Sequence, residues 1–342
     1  MRYAAAAGAG ALRRRGQTAA ASRADAAFRQ KGSRESMEER ALRELFAGVA
    51  DTVLFREPLA RHTTWRIGGP ADVLAIPGSV GQAQAAVKAA AENGVPWFAI
   101  GRGSNLLVRD GGIRGLVIKF GDALAALRVE DGALTALAGR ALVSAVNISI
   151  QHGLSGLEFA YGIPGTVGGA VTMNAGAHGG EIRDVLERAR VLTEGGDLLD
   201  LAGADLAFAY RRSAVGERRW IVTEATFRLR PGDAGELRER VRAWSRRRQS
   251  TQPLSLPNCG SVFRNPPGDH AARLIEAAGL KGLRCGRAEI SGLHANFIVN
   301  LGGASARDVL ALIGRAQADV CERFGVRLTP EVRVVGEDEA RG

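Results

Sequence analysis

The feature of this sequence that most constrains its fold is a dense cluster of glycines between Gly162 and Glu181. The segment reads GIPGTVGGAVTMNAGAHGGE and contains seven glycines in twenty residues. Glycine adopts positive φ without strain and lets the backbone come close to a ligand, and seven glycines are more than one turn requires. A second glycine-rich stretch, Gly101-Arg102-Gly103-Ser104-Asn105, lies about sixty residues earlier. Two such loops predict that a phosphate-bearing cofactor is held from two sides, and the alternative is a strained surface loop.

The residues around the first glycine-rich stretch predict a strand, a helix and a second strand. Ala71 to Pro77 has the composition of a strand. Ser79 and Gln82 have the spacing of a capping box at the start of an alanine-rich helix, which should end at Asn93-Gly94. Val95 to Ile100 predicts the second strand, and the glycine-rich stretch follows it directly.

The stretch GRGSNL differs from a dinucleotide-binding fingerprint in two respects. It lacks the third glycine, and the residues after it (Leu106 to Val108, then Leu116 to Phe120) predict strand, turn and strand rather than a helix. No helix dipole is therefore expected to bind a pyrophosphate at this loop. Its backbone N–H groups can still form an anion-binding nest, although glycines at a tight turn explain the sequence equally well.

The remaining elements follow the same alternation of helices and strands. Predicted helices are Glu38 to Ala50, Leu142 to His152, a helix capped by Asp233 and Glu236 that buries Leu237, Val241 and Trp244, Ala271 to Ala278, and a helix capped by Ser305 and Asp308 with an apolar stripe from Val309 to Phe324. Predicted hairpins surround Glu130-Asp131-Gly132 and Gly195-Gly196-Asp197, and predicted strands are Trp220 to Leu229, part of Asn258 to Pro266, Ala295 to Asn300 and Val326 to Val335. On an extended strand, Glu331 and Arg333 would share one face.

Composition excludes several classes of protein. A length of 342 residues predicts about two domains, and a hydrophobic content of 46% excludes wholesale disorder. The 45 glycines follow no triplet period, which excludes collagen. The longest uncharged run, Phe159 to Gly180, is long enough to span a bilayer. Because it contains seven glycines, a proline and an asparagine, it predicts loops and short strands instead, and we expect no membrane span.

The cysteines and histidines predict neither disulfides nor a metal site. The three cysteines (Cys259, Cys285 and Cys321) are odd in number and far apart, as is typical of a protein in a reducing cytoplasm. The five histidines are scattered and form no HxxxH pair.

The net charge of +10 is concentrated at the N-terminus. Residues 1–36 carry +6, which leaves +4 for the rest of the chain. This Ala/Gly/Arg-rich segment has no helical or strand periodicity, and we expect either a disordered extension or a misplaced start, for which Met37 is a natural first residue. The alternative is a nucleic-acid-binding arm, but the interleaved aromatic residues that stack on bases are lacking.

Six motifs resemble one known family closely. They are TTWRIGGPAD (Thr63–Asp72), GRGSNLLVRDGG (Gly101–Gly112), the Gly162–Glu181 cluster, AYRRS (Ala209–Ser213), NCGSVFRNP (Asn258–Pro266) and TPEVRVVG (Thr329–Gly336). They occur in the family's order, and the resemblance covers residues 45 to 336. The family is that of UDP-N-acetylenolpyruvoylglucosamine reductase, the flavoenzyme that completes UDP-N-acetylmuramate for peptidoglycan.

The resemblance implies an α+β fold. Residues 66–232 would form a vanillyl-alcohol-oxidase-like (PCMH-type) FAD-binding unit of two subdomains, and residues 233–336 a C-terminal α+β substrate-binding domain. Residues 1–36 would be the basic extension, 37–65 an N-terminal helix and lead-in, and 337–342 a tail. The short connection from Arg230 to Ser245 resembles the family's second, shorter type. His178 stands where the family commonly has tyrosine, which leaves the loop packing beside the flavin open.

The resemblance also implies the cofactors and their binding residues. FAD would bind non-covalently and NADPH would be the reductant, although the sequence does not decide between NADPH and NADH. A covalently tethered flavin is the alternative, but GRGSN has no histidine to carry the tether. The positions that match cofactor-binding residues of the family are Gly101, Gly103, Ser104, Asn105, Gly162, Ile163, Pro164, Gly165, Thr166, Gly168, Gly169, Asn174 and Gly176.

Three positions match the family's catalytic residues. Arg211 would grip the substrate carboxylate, Glu331 would stabilise the enol-like intermediate, and Ser261 would give a proton to C2 after hydride reaches C3. Positions that match substrate-binding residues are Tyr210, Gly260, Asn265 and Arg333. The partner would be a nucleotide-sugar substrate, and we expect a cytoplasmic monomer that binds neither nucleic acid nor membrane.

Deleting residues 1–36 should leave flavin content and turnover intact, because the resemblance begins after Met37. Flavin absorbance per protein and kcat of the truncated and full chains, measured side by side, check this. A loss of flavin or a large fall in kcat on truncation would show that the extension belongs to the catalytic unit.

Overall fold

A computed structural model of the chain describes residues 37–339. Predictions about residues 1–36 and 340–342 lie outside the described residues. The chain divides into two units, Met1–Leu42 and Arg43–Gly342. The described part of the first unit is the start of one helix, and the second unit contains every other element.

Helices and short strands are interspersed along the described chain. The helices are α1 (Met37–Phe46), α2 (Val80–Glu92), α3 (Leu142–Gln151), α4 (Val167–Thr172), α5 (Ala214–Glu217), α6 (Ala234–Thr251), α7 (Ala271–Ala277) and α8 (Ala306–Phe324). The strands are β1 (Thr52–Pro58), β2 (Pro70–Ile76), β3 (Trp97–Ile100), β4 (Leu106–Val108), β5 (Ile113–Lys119), β6 (Leu127–Glu130), β7 (Ala133–Leu137), β8 (Leu154–Ser155), β9 (Gly176–Ala177), β10 (Gly180–Glu181), β11 (Leu186–Leu192), β12 (Leu198–Ala202), β13 (Ile221–Arg228), β14 (Arg230–Pro231), β15 (Arg284–Cys285), β16 (Ala288–Ile290), β17 (Ile298–Asn300) and β18 (Arg333–Val335). Helix α1 ends before the predicted Ala50, because the chain turns at Gly48, whose φ is +72°.

The first sheet has four strands in the order β1-β2-β5-β3. Strand β1 runs antiparallel to β2, whereas β2 and β3 run parallel to β5. Helix α2 connects β2 to β3 and begins where the Ser79 hydroxyl accepts a hydrogen bond from the Gln82 backbone N–H. The predicted strand–helix–strand opening is confirmed. The Gln82 side chain accepts from Gly78 N–H instead of completing the capping box.

The second sheet has five antiparallel strands in the order β12-β11-β13-β7-β6, and it contains both predicted hairpins. Helix α4 packs against β13 in this layer. The prediction of loops and short strands throughout Phe159–Gly180 was therefore wrong for this helix. Thr166 begins α4 by accepting from the Gly169 N–H, and Gly168 lets α4 approach Ala138 so closely that an added Cβ would lie 2.8 Å from the alanine Cβ.

The third sheet, β15-β16-β17, packs with α7 and α8 around the C-terminal core. Helix α8 has the predicted reciprocal capping box of Ser305 and Asp308, and it ends at Gly325 with φ +67°. Its stripe is buried from Val309 to Val320. The predicted extension of that stripe to Phe324 was wrong, because this side chain is 38% exposed at the end of the helix.

Two strand predictions near the C-terminal motifs were wrong in part: one strand is shorter than predicted and the other is absent from the described structure. Of Val326 to Val335, only β18 is a strand, and it pairs in parallel with β4 beside the first glycine-rich stretch. The segment Asn258 to Pro266 forms no regular strand and makes a single bridge from Phe263 to Pro330. The Asn296 side chain binds both the N–H and the C=O of Phe263, so this backbone needs no strand partner there.

The division near residue 232 remains a prediction. Helix α6 begins just after it, where the Asp233 carboxylate accepts from the Glu236 N–H at 2.8 Å. Within the described residues, none of the helices has the length and apolar content needed to cross a bilayer.

Candidate active site

A cavity of about 630 Å³ lies where the two glycine-rich loops, the Gly260-Ser261 turn and the β18 segment meet. Its lining includes most of the predicted site residues from these four segments, among them Ser261, Glu331 and Arg333, and it also includes Arg211. Residues from distant parts of the sequence therefore face one space.

The two glycine-rich loops touch each other at the cavity. The Ser104 hydroxyl donates to the backbone carbonyl of Pro164 at 2.9 Å. A Cβ added at Gly101 would lie 2.5 Å from Oγ1 of Thr166, so a larger residue at this position would push the loops apart. Gly101 is thus a point of close contact between the loops as well as part of the cavity lining.

The first loop is bound by Thr64 on one side and by the C-terminal segment on the other. The N–H of Thr64 donates to the Gly103 carbonyl, and Gly103 has φ +62°. The Asn105 side chain donates to the Glu331 carbonyl at 3.1 Å, and the Asn105 carbonyl accepts from the Arg333 N–H at 3.0 Å. These bonds place the β18 segment directly beside the loop.

The lining fits a dinucleotide that carries a pyrophosphate. In the described chain, the backbone N–H groups of Gly103, Ser104, Gly165 and Thr166 donate no hydrogen bond to another residue, so they remain available to an anion. The charged side chains of the lining are five arginines against one carboxylate: Arg102, Arg211, Arg219, Arg248 and Arg333 against Glu331. Trp97, Phe98 and Trp220 add apolar surface for flat rings. These residues can hold FAD.

Arg211 lies on a tight turn whose flanking residues, Ala209 and Arg212, exchange two backbone hydrogen bonds. Its φ of +57° lies in the left-handed region, typical of the third residue of a type II turn. The guanidinium donates from Nε to Oε1 of Glu331 at 2.8 Å and from Nη2 to the Gly176 carbonyl at 2.9 Å. Nη1 makes no hydrogen bond within residues 37–339, so it can bind a ligand.

Glu331 is a partly buried carboxyl group beside two arginines. Burial raises the pKa of Glu331, and the charges of Arg211 and Arg264 oppose this shift only in part. The neutral form of Glu331 therefore persists to higher pH than it does in an exposed glutamate.

Ser261 follows a turn that is fixed on both sides. The Asn258 side chain accepts from the Gly260 N–H at 2.9 Å, and Gly260 has φ +81°. After the turn, the Val262 carbonyl accepts from the Glu331 N–H at 2.8 Å. Ser261 and Glu331 are thereby held on adjacent segments of the cavity wall, and in the described chain the Ser261 hydroxyl bonds to no other residue.

Four predicted site residues lie outside the cavity lining. Asn174 is fully buried and supports the second loop, because its amide donates to the Ala209 carbonyl and its carbonyl accepts from the Arg183 N–H. Asn265 is exposed, and its side-chain amide oxygen accepts from the N–H of Ala271 at the start of α7.

The other two predicted residues are Gly162 and Tyr210. Gly162 has φ +83°, and its carbonyl faces Arg248. Tyr210 is 48% exposed, and its ring lies 5.0 Å from the Arg211 guanidinium carbon. The predicted ligand contacts of these four residues remain predictions.

Helix α6 brings residues to the site that the sequence did not indicate. Arg248 and Gln252 line the cavity, and Trp244 stacks on His178 with ring centroids 4.3 Å apart. The prediction that Trp244 is buried in the core was wrong: it is half-buried against the glycine-rich segment. Burial, with the charges of Arg248 and Arg247, lowers the pKa of His178, so a neutral ring occupies this stack near neutral pH. In the sequence, the run of arginines around Arg248 has the pattern of a solvent-exposed helix face. Nothing in that pattern distinguishes Arg248 from the neighbouring arginines.

Comparison with known proteins supports the cofactor assignment. Residues 71–202 match the family model described as FAD binding domain, and residues 252–335 match the model of the UDP-N-acetylenolpyruvoylglucosamine reductase C-terminal domain. The fold is the expected α+β arrangement and includes an FAD-binding domain, and the protein is an FAD-dependent oxidoreductase.

Three relatives show the family to which the chain belongs. It is 50% identical to the UDP-N-acetylenolpyruvoylglucosamine reductase of Rubrobacter xylanophilus over 83% of this chain and 95% of that protein. It is 45% identical to the enzyme of the same name from Exiguobacterium sibiricum, over 88% of this chain and 99% of the relative. The crystal structure of the Thermus caldophilus enzyme matches with a TM-score of 0.72 and 37% identity, over 83% of this chain and 98% of that chain. The chain belongs to the UDP-N-acetylenolpyruvoylglucosamine reductase family.

Proposed function

We propose that this chain reduces UDP-N-acetylglucosamine enolpyruvate to UDP-N-acetylmuramate, with NADPH as the reductant. The observation that carries the proposal is that Arg211 and Glu331, 120 positions apart in sequence, meet at 2.8 Å in the cavity that Ser261 also lines. The names of the relatives supply the substrate, and the three side chains have the chemistry that it requires.

The enolpyruvyl ether is an electron-rich alkene, which resists attack by hydride. Addition at C3 becomes feasible when the charge that develops at C2 spreads into the adjacent carboxylate. FAD reduced by NADPH supplies the hydride when it is bound. A proton then adds at C2, so that one hydride and one proton saturate the double bond.

Arg211 binds and orients the substrate carboxylate in this proposal. It is a permanent cation whose planar fork matches a carboxylate, and its Nη1 is available for this contact. The bonds to Glu331 and Gly176 fix the plane of the guanidinium before the substrate arrives, which limits the reorganisation needed in the transition state.

Glu331 stabilises the enol-like intermediate. Because burial raises its pKa, the neutral carboxyl group persists to higher pH than in an exposed glutamate, and in that form it can donate a hydrogen bond to the oxygen on which negative charge develops. As the pH rises through this pKa, the donor is lost and the reduction of the substrate should slow.

Ser261 gives the proton to C2. A serine hydroxyl is a weak acid, so the step depends on a strongly basic carbanionic centre held within hydrogen-bond reach. The fixed turn before Ser261 favours such a placement. Gly260 and Arg333 line the same region and would contact the substrate, with Tyr210 and Asn265 as further predicted contacts.

FAD should be released intact when the protein is denatured, because we expect no covalent tether. The measurement is the flavin absorbance of the soluble fraction after acid precipitation of the yellow holoenzyme, with one FAD expected per chain. Colour that stays with the precipitated protein would contradict non-covalent binding, and protein without flavin absorbance after FAD is supplied would contradict the proposed site.

Bleaching by NADPH and by NADH, measured on the same holoenzyme, identifies the reductant.

A further inference from the structure

Arg248 is a cationic side chain of the cavity for which the proposed reaction has no role. It projects from helix α6, far in sequence from both glycine-rich loops, and its guanidinium lines the cavity together with Gln252. Nε donates to the Gln252 side chain at 3.0 Å, and Nη1 donates to the Gly162 carbonyl. In the described part of the chain, Nη2 has no hydrogen-bond partner.

The positive charge of Arg248 has no carboxylate beside it. Two other arginines of the lining are paired, Arg211 with Glu331 and Arg219 with Glu194. Among residues 37–339, no carboxylate lies within ion-pair distance of Arg248, and burial alone lowers the pKa of this guanidinium. A half-buried cation without a counterion is costly, and an anionic ligand in the cavity removes that cost.

Helix α6 fixes Arg248 against the second glycine-rich segment. Arg240, Trp244 and Arg248 are spaced by four residues and lie on one face of the helix. Arg240 pairs with Glu158 at 2.9 Å, Trp244 stacks on His178, and Arg248 binds Gly162. A Cβ added at Gly162 would lie 3.0 Å from the Arg248 guanidinium. Three successive turns of the helix therefore hold this side chain in place at the loop.

We propose that Arg248 is an anion-binding residue of this cavity that contacts a diphosphate group through its free Nη2 edge. The inference rests on the proposed use of the glycine-rich loops to bind FAD. Two ligands of the proposed reaction carry a diphosphate, namely FAD and the UDP-sugar. The chemistry recognised is the same in both, and separate titrations identify the source.

The test compares Arg248→Gln with Arg248→Lys in the full chain, and Arg246→Gln on the exposed face of the same helix is the matched control. Glutamine keeps a donor for Gly162 but removes the charge. Far-UV circular dichroism and thermal unfolding of the apoproteins show that each variant folds. The dissociation constant of FAD is measured by titration into apoprotein, and that of UDP by the spectral change of the bound oxidised flavin.

We expect Arg248→Gln to raise the dissociation constant of either FAD or UDP by about 10- to 100-fold, the range for one lost hydrogen bond between charged groups. The ligand whose binding weakens is the one whose diphosphate Arg248 contacts. Arg248→Lys should bind that ligand more tightly than Arg248→Gln, and Arg246→Gln should match the parent chain. Unchanged constants for both ligands in Arg248→Gln, or equal losses in the Lys and Gln variants, would overturn the inference.

A loop variant separates this inference from the proposed site itself. Gly101→Val should force the two loops apart at Thr166 and weaken the binding of FAD. Gly195→Ala should leave FAD binding unchanged, because no atom lies within 4 Å of the Cβ added at that turn. If Gly101→Val leaves FAD binding unchanged, the proposed loop assignment fails. If Gly101→Val weakens FAD while Arg248→Gln alters neither ligand, only the role of Arg248 fails.

Discussion

Replacing Ser261 by alanine should leave flavin reduction by NADPH close to the normal rate while nearly abolishing reoxidation by UDP-N-acetylglucosamine enolpyruvate. The first half of the reaction needs no proton at carbon, whereas the second must deliver one to C2. We expect the second half to slow by more than about 10²- to 10⁴-fold, the usual loss of an acid–base group, because water is a badly placed substitute. Stopped-flow measurement of each half reaction checks this.

Two variants sharpen the Ser261 experiment. Ser261→Cys should restore part of the rate, since a thiol occupies the same place and can donate a proton. Ser255→Ala, at an exposed serine of the preceding segment, should behave as the parent enzyme in both halves. If Ser261→Ala slows both halves equally, the residue shapes the pocket and the proton comes from another group.

The change of Arg211 to lysine should lower kcat/KM by about 10²-fold or more, comparable to the loss of one preorganised oxyanion donor. Lysine keeps the charge but has no planar fork, so it cannot bind Glu331, the Gly176 carbonyl and a ligand carboxylate in one plane. Steady-state kinetics with the enolpyruvyl substrate provide the measurement.

The adjacent Arg212 supplies the matched control for Arg211. It is exposed and pairs with Glu217, so Arg212→Lys should keep kcat/KM within a few-fold of the parent. Near-normal kinetics in Arg211→Lys, or an equal loss in both variants, would remove Arg211 from the proposed carboxylate site.

Local signals in the sequence predicted most of the helices and hairpins. Capping at Ser305 and Asp308, the glycine stop at Gly325 and the hairpin at Asp131-Gly132 all depend on residues within a few positions of one another. Such short-range chemistry is readable from one chain because it needs no knowledge of distant partners.

The features that were missed depend on contacts between distant segments. The predicted strand Val326 to Val335 is reduced to β18, the part for which β4 offers a parallel partner, and the unpredicted α4 packs closely on Ala138 at Gly168. Trp244 fits a core stripe by its spacing, yet it stacks on His178 at the edge of the cavity. The proposed catalytic residues come from the resemblance, whereas nothing in the sequence distinguished Arg248 from the other arginines of α6.

The most direct test of the proposed activity is a single turnover without oxygen. Holoenzyme reduced by one equivalent of NADPH is mixed with UDP-N-acetylglucosamine enolpyruvate, and flavin absorbance and product are followed together. The proposed function predicts that the oxidised flavin spectrum returns as one equivalent of UDP-N-acetylmuramate forms. A flavin that stays reduced in the presence of this substrate, with no UDP-N-acetylmuramate formed, would contradict it.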